Sequence, residues 1–203
     1  MNYPQTIVSF MGFKNSDRHR CGFEDGYFAH VAGFGGDRTL TFAPRTWKTN
    51  VKNLADQLRR QGVQRVAMLS YSHGQAAATA FARYAYEIGL AVDLWIACDP
   101  VYRPTWLPRW TVSQALAFRA LRKKGKIKVP GNIKRTVYIR QEKDKPRGHT
   151  LVPTHPDQYV ECKAILHSFG HTEIDESEAY WGLVNSELEV WTNPPKAIVV
   201  EDI

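Results

Sequence analysis

Short apolar runs alternate along this chain with stretches whose apolar residues recur at helical spacing. The first run, Thr6-Ile7-Val8-Ser9-Phe10-Met11, is closed by Gly12 and reads as a strand. A polar, Gly-rich stretch from Lys14 to Asp37 follows and reads as loop, and then comes Thr39 to Ala43, stopped by Pro44. Val51, Leu54, Ala55 and Leu58 share one helical face, with Lys52, Asp56, Arg59 and Arg60 opposite and Gly62 as the stop. Val63 to Leu69 is a buried strand in this reading. The next helix, 74–88, carries Ala77, Ala80, Phe81, Tyr84 and Ile88 in one stripe and ends at Gly89. Ala91 to Cys98, Arg135 to Gln141 and Tyr159 to Leu166 are further strands. A last helix begins near Asp175, where Asp175 and Glu178 have capping-box spacing, and Tyr180, Val184, Leu188 and Trp191 follow one face.

Strands alternating with amphipathic helices predict α/β architecture, a three-layer αβα sandwich around a mostly parallel sheet. At 203 residues the chain fits one domain, taken as 1–203. Apolar residues make up 43 %, enough for a sizeable core. No apolar stretch approaches membrane-spanning length. The start, MNYPQTIVSF, has no basic segment, long apolar segment or small-residue cleavage site, so a cytoplasmic protein is expected. Cys21, Cys98 and Cys162 are few and odd in number, which implies no disulfide framework.

Charge changes the picture at one place. The net charge is +7, yet Arg103 to Arg135 holds ten Lys/Arg and no Asp/Glu. The remainder is slightly acidic, so this is a near-neutral globule with one cationic segment and not a generally basic nucleic-acid binder.

The passage richest in chemistry is Leu69-Ser70-Tyr71-Ser72-His73-Gly74-Gln75-Ala76-Ala77, a strand, an S-x-S-x-G turn and an alanine-rich helix. A hydroxyl nucleophile on a strand-to-helix turn must stand clear of the sheet, and the turn has room only for small residues two positions away on either side. Ser70 and Gly74 meet that need, and Ala76 and Ala77 let the helix approach the sheet. The helix N-terminus favours negative charge at that spot. The alternative is that Ser72 only caps the helix.

At these residues the chain resembles the α/β-hydrolase fold of serine esterases and lipases, departing from G-x-S-x-G where Ser70 stands for glycine. The resemblance extends in element order over about residues 5–190. It implies a nucleophile at Ser72 and an acid at Asp99, where the apolar run 91–98 ends in an Asp-Pro pair. That placement is similar to the lipase branch in which the acid follows the sixth strand. Glu142 and Asp144 are reserve acids, and a plain loop-capping role for Asp99 is the alternative. The resemblance implies a base at His171, between the last strand and the last helix, with His149 and His155 as rivals and His167 placed at the strand exit. It further implies oxyanion donors on the backbone of His73 and of Gly12 or Phe13. Tyr71, Tyr102 and Trp106 are expected to line a substrate mouth.

The expected activity is cleavage of a small-molecule or lipid carboxylic ester through an acyl-enzyme, without a cofactor. Two alternatives stand beside it. One is a non-catalytic binding protein on the same fold, holding an anionic partner by the basic segment. The other is a thioesterase or acyltransferase using the same triad. Residues 103–133 are expected to form a lid-like basic insertion, suited to an acidic lipid surface or a nucleic-acid backbone. Its bland reading is a solvated helix. Cys162, His167 and His171 have metal-like spacing but lack a companion pair, so no metal is expected. No dinucleotide or P-loop fingerprint occurs. Asp17, Glu24, Asp25 and Asp37 read as solvated loop residues rather than an ion site.

Overall fold

A computed structural model describes residues 4–12, 22–36, 38–46, 48–101, 126–143 and 147–193. The frame is a parallel sheet in the order β2-β1-β4-β5-β7-β9. Its strands are β1 (Gln5–Met11), β2 (Thr39–Thr41), β4 (Arg65–Tyr71), β5 (Ala91–Cys98), β7 (Ile133–Gln141) and β9 (Tyr159–Leu166). The short β3 (Arg45–Thr46) also pairs with β1. Every pairing described is parallel. A second small sheet joins β6 (Lys126–Lys128) to β8 (Thr150–Val152).

The central strands explain the continuous apolar runs. All of β1 is buried, and β4 is buried from its second residue onward, because helices cover both faces. On one face α2 (Val51–Arg60) and α3 (Gly74–Glu87) pack over Val8, Phe10, Val66, Met68 and Trp95. On the other, α1 (Gly22–His30) and α4 (Glu178–Thr192) cover Ile7, Leu69, Leu94, Ile96 and Ile139. The sandwich is therefore three-layered, as the alternation predicts.

Helix ends follow local chemistry. The Asn50 side chain accepts the Asn53 N–H at 3.2 Å to cap α2. Gly62 and Gly89 take φ of 78° and 70° just beyond α2 and α3, a conformation glycine adopts without strain. The start of α4 differs from the expected capping box. Ser177 is its N-cap, with Oγ accepting the Tyr180 N–H at 3.3 Å. Asp175 instead lies in the preceding 3₁₀ turn and accepts the Phe23 N–H at 2.8 Å, tying α1 to α4.

Three boundaries are corrected. The strand expected over 63–69 runs 65–71 and so leads directly into the serine turn. The run expected over 39–43 is strand only over 39–41, and β3 follows beyond Pro44. The polar stretch 14–37, read as loop, contains α1. Gly22 and Gly26 hid it. A Cβ at Gly26 would overlap the Trp181 ring, and one at Gly22 would overlap Glu176, so both glycines serve close packing within a helix.

Strand β1 is where the connections part. From it the chain crosses through α1 to β2 on one side, while β4, through α3, leads to β5 on the other. In parallel sheets such a divergence opens a crevice at the carboxyl ends of the two strands. Here those ends carry Gly12 and Ser72.

Candidate active site

Ser72 directly follows β4 and stands between that strand and α3. Its φ is 53°, left-handed for a residue with a side chain, so the turn is strained. The strain is held by backbone bonds on either side. The Ser72 N–H donates to the Cys98 carbonyl at 3.0 Å, and the Val101 N–H donates to the Ser72 carbonyl at 3.0 Å. Crowding beneath the turn fixes its composition. A Cβ at Gly74 would overlap the Phe10 carbonyl, so α3 can begin there only with glycine. Gly12 also approaches closely, since a Cβ there would stand 2.8 Å from the Ser72 Cβ and 3.1 Å from its Oγ. Ser70 is no defect of the motif. It is fully buried, and its Oγ accepts the indole N–H of buried Trp95 at 2.9 Å.

Asp99 terminates β5 and is the second left-handed non-glycine residue among those described, with φ 40°. It is fully buried. Oδ1 accepts the Gln141 backbone N–H at 3.0 Å, and Oδ2 accepts the Gln141 side-chain amide at 3.2 Å. Gly148 lies against the carboxylate so closely that a Cβ would collide with Oδ1.

His171 occupies the loop between β9 and α4. Its Nδ1 lies 2.5 Å from Asp99 Oδ2 and its Nε2 lies 2.7 Å from Ser72 Oγ. A carboxylate only accepts, so Nδ1 carries the imidazole proton and Nε2 presents a lone pair to the Ser72 hydroxyl. The loop is pinned from outside, where Glu173 Oε2 accepts the Gly170 N–H at 2.9 Å and the Lys143 ammonium at 3.3 Å. These bonds lower the Glu173 pKa, the Gly170 N–H contributing most.

Ser72, Asp99 and His171 thus converge although they are far apart in sequence. A pure capping role for Ser72 is overturned, because α3 has His73 at its N-cap position and Ser72 Oγ meets His171 instead. The rival histidines lie elsewhere. His149 is buried with Nδ1 3.3 Å from the Pro100 carbonyl, and His155 and His167 are exposed. Of the reserve acids, Glu142 pairs with Arg140 at 2.8 Å, and Asp144 lies outside the described residues. His73 is buried where α3 begins. Tyr71, expected at a substrate mouth, is only 7 % exposed. Its ring stacks on Phe23, and its hydroxyl donates to the His171 carbonyl. Phe13, Tyr102 and Trp106 lie outside the described residues, as does the basic stretch 102–125.

Sequence reasoning missed Gln141 and Gly148. Gln141 ends β7, the neighbour of the strand that delivers Asp99, and the strand order carries that information. Nothing local marks Gly148. Among the described residues no three His, Cys, Asp or Glu side chains gather to hold a metal ion. No described helix is long and apolar enough to cross a membrane.

No family model and no curated protein matches this chain. Among solved structures it is similar to Est1E from Butyrivibrio proteoclasticus, at 14 % identity and TM-score 0.48, over 94 % of this chain and 87 % of that one. It is also similar to wild-type Cfl2 from Burkholderia cenocepacia, at 13 % identity and TM-score 0.46, over 92 % of this chain and 87 % of that one.

Proposed function

We propose that this protein is a serine hydrolase that cleaves a carboxylic ester through an acyl-enzyme, with Ser72 as nucleophile, His171 as base and Asp99 as its orienting carboxylate. The observation that carries this reading is the unbroken chain from Ser72 Oγ to His171 Nε2, through the ring, and from Nδ1 to Asp99 Oδ2. A structural serine has no need of a strained turn aimed at an imidazole that is itself backed by a buried carboxylate.

The steps follow from the donors and acceptors. Ser72 Oγ bonds to the ester carbonyl carbon as its proton passes to His171 Nε2. The carbonyl π pair moves onto oxygen, and backbone N–H groups of His73 and of Gly12 or Phe13 receive that charge. Asp99 stabilises the imidazolium without taking its proton. Collapse of the adduct re-forms the carbonyl and breaks the bond to the alcohol oxygen, which takes the proton from Nε2. Water then repeats the sequence on the acyl-serine, releasing the acid and restoring the Ser72 hydroxyl. Hydrolysis of a thioester, or transfer to an acceptor other than water, would use the same groups, with the pocket choosing between them.

The test is labelling by a fluorophosphonate, alongside turnover of short p-nitrophenyl esters. Wild type is expected to react and turn over. Ser72→Ala is expected to lose labelling completely and His171→Gln to lose it by about a thousandfold or more. Labelling that persists in Ser72→Ala would refute the assignment.

A further inference from the structure

Tyr71 is the last residue of β4 and immediately precedes Ser72. Ser72 stands at the turn. The Tyr71 ring faces the α1 and α4 side, buried among Phe23, Tyr180 and Trp181. It lies 5.8 Å from the Phe23 ring at 15° and 5.6 Å from the His171 imidazole at 27°. Its hydroxyl donates to the His171 carbonyl. His171 is therefore held twice over. Asp99 fixes the imidazole through Nδ1, while Tyr71 fixes the main chain of the same residue and supports one face of its ring.

Resting on the hydrolase reading above, we infer that Tyr71 is the positioning residue of His171, setting the base by its hydroxyl and ring rather than contacting substrate.

The physical need is plain from the connectivity. His171 lies on a loop that leaves β9, the last strand of the path, whereas Ser72 directly follows β4, with β5 and β7 between them. The sheet alone does not set the distance from the base to the nucleophile. Tyr71 sets it, because the residue bonded to the His171 main chain is the neighbour of the nucleophile. Any shift of β4 carries the serine and this anchor together.

The test compares Tyr71→Phe, which keeps the ring, with Phe23→Leu, which loosens the packing under the ring and leaves the hydroxyl bond. Three quantities are measured on each folded protein: the rate of fluorophosphonate labelling, its pH profile, and the downfield proton resonance of His171 Nδ1–H. In Tyr71→Phe the labelling rate is expected to fall by about ten- to a hundredfold, the scale of a small misplacement of reacting groups. The acid limb of the profile is expected to move and the resonance to weaken, as the contact between His171 and Asp99 loosens. Phe23→Leu is expected to lower the melting temperature and leave both the limb and the resonance in place. A Tyr71→Phe protein that labels within twofold of wild type, with an unmoved limb, overturns the inference and leaves the hydrolase reading standing. A wild type that does not label, or labels equally as Ser72→Ala, overturns both.

Discussion

Trp95 and Ser70 fasten β5 to β4 two residues before Ser72, and that single bond gives the serine at position 70 a structural task. Both side chains have no exposure, so the indole N–H has no water to turn to if Ser70 is removed. Ser70→Gly would restore the commoner motif yet orphan a buried donor, at a cost of about 1–3 kcal/mol. Urea titration should show a lower midpoint for Ser70→Gly, recovered in part by adding Trp95→Phe, whereas fluorophosphonate labelling should persist in both. At this scale the small size of position 70 was readable from the spacing of the motif. Its partner was not, because Trp95 is 25 residues away and meets it only once β4 and β5 pair.

Among elements, α3 sits close against the sheet. Its alanines, Ala77, Ala78, Ala82 and Ala85, and Phe81 are buried against the sheet, and its first residue touches β1 through the bare backbone of Gly74. Gly74→Ala is expected to displace the start of α3 and cost at least 2 kcal/mol, roughly the scale of overpacking a filled core. A melting curve would record that loss, and the serine turn should lose reactivity with it. Periodicity made most helices and strands legible, since α2 and α4 present the expected apolar faces, whereas α3 buries Ala78, Ala82 and Ala85 beside Ala77 and Phe81 and leaves Ala80 of the expected stripe exposed. It failed for α1, whose buried residues, Phe23 and Tyr27, are a single pair four apart set among Gly22, Gly26 and polar neighbours. It also missed β6 and β8, each a three-residue strand, too short for alternation to register.

Over the whole molecule, the parallel sheet gathers the chemistry at one rim, because every strand of the main sheet points its carboxyl end the same way. Ser72, Asp99 and His171, which touch, were named in the sequence through the family resemblance and with rivals beside them, while Gln141 and Gly148 required the strand order. The same rim makes stability depend on pH. Burial pushes the His149 imidazole below its ordinary value of 6.5. The unfolded chain thus binds a proton there more readily than the folded one, so stability is full above about 6.5 and declines as the pH falls toward the folded value. Replacing this group by His149→Gln should flatten the dependence of the urea midpoint on pH between about 7 and 5. The left-handed backbone at Ser72 and Asp99 has a different reach. Each such bend stores about 1–3 kcal/mol that glycine would release. At Asp99 glycine would also strip three donors of their buried acceptor, so breeding this protein for heat tolerance alone would favour Ser72→Gly, and on the hydrolase reading its hardiest descendants would be inert.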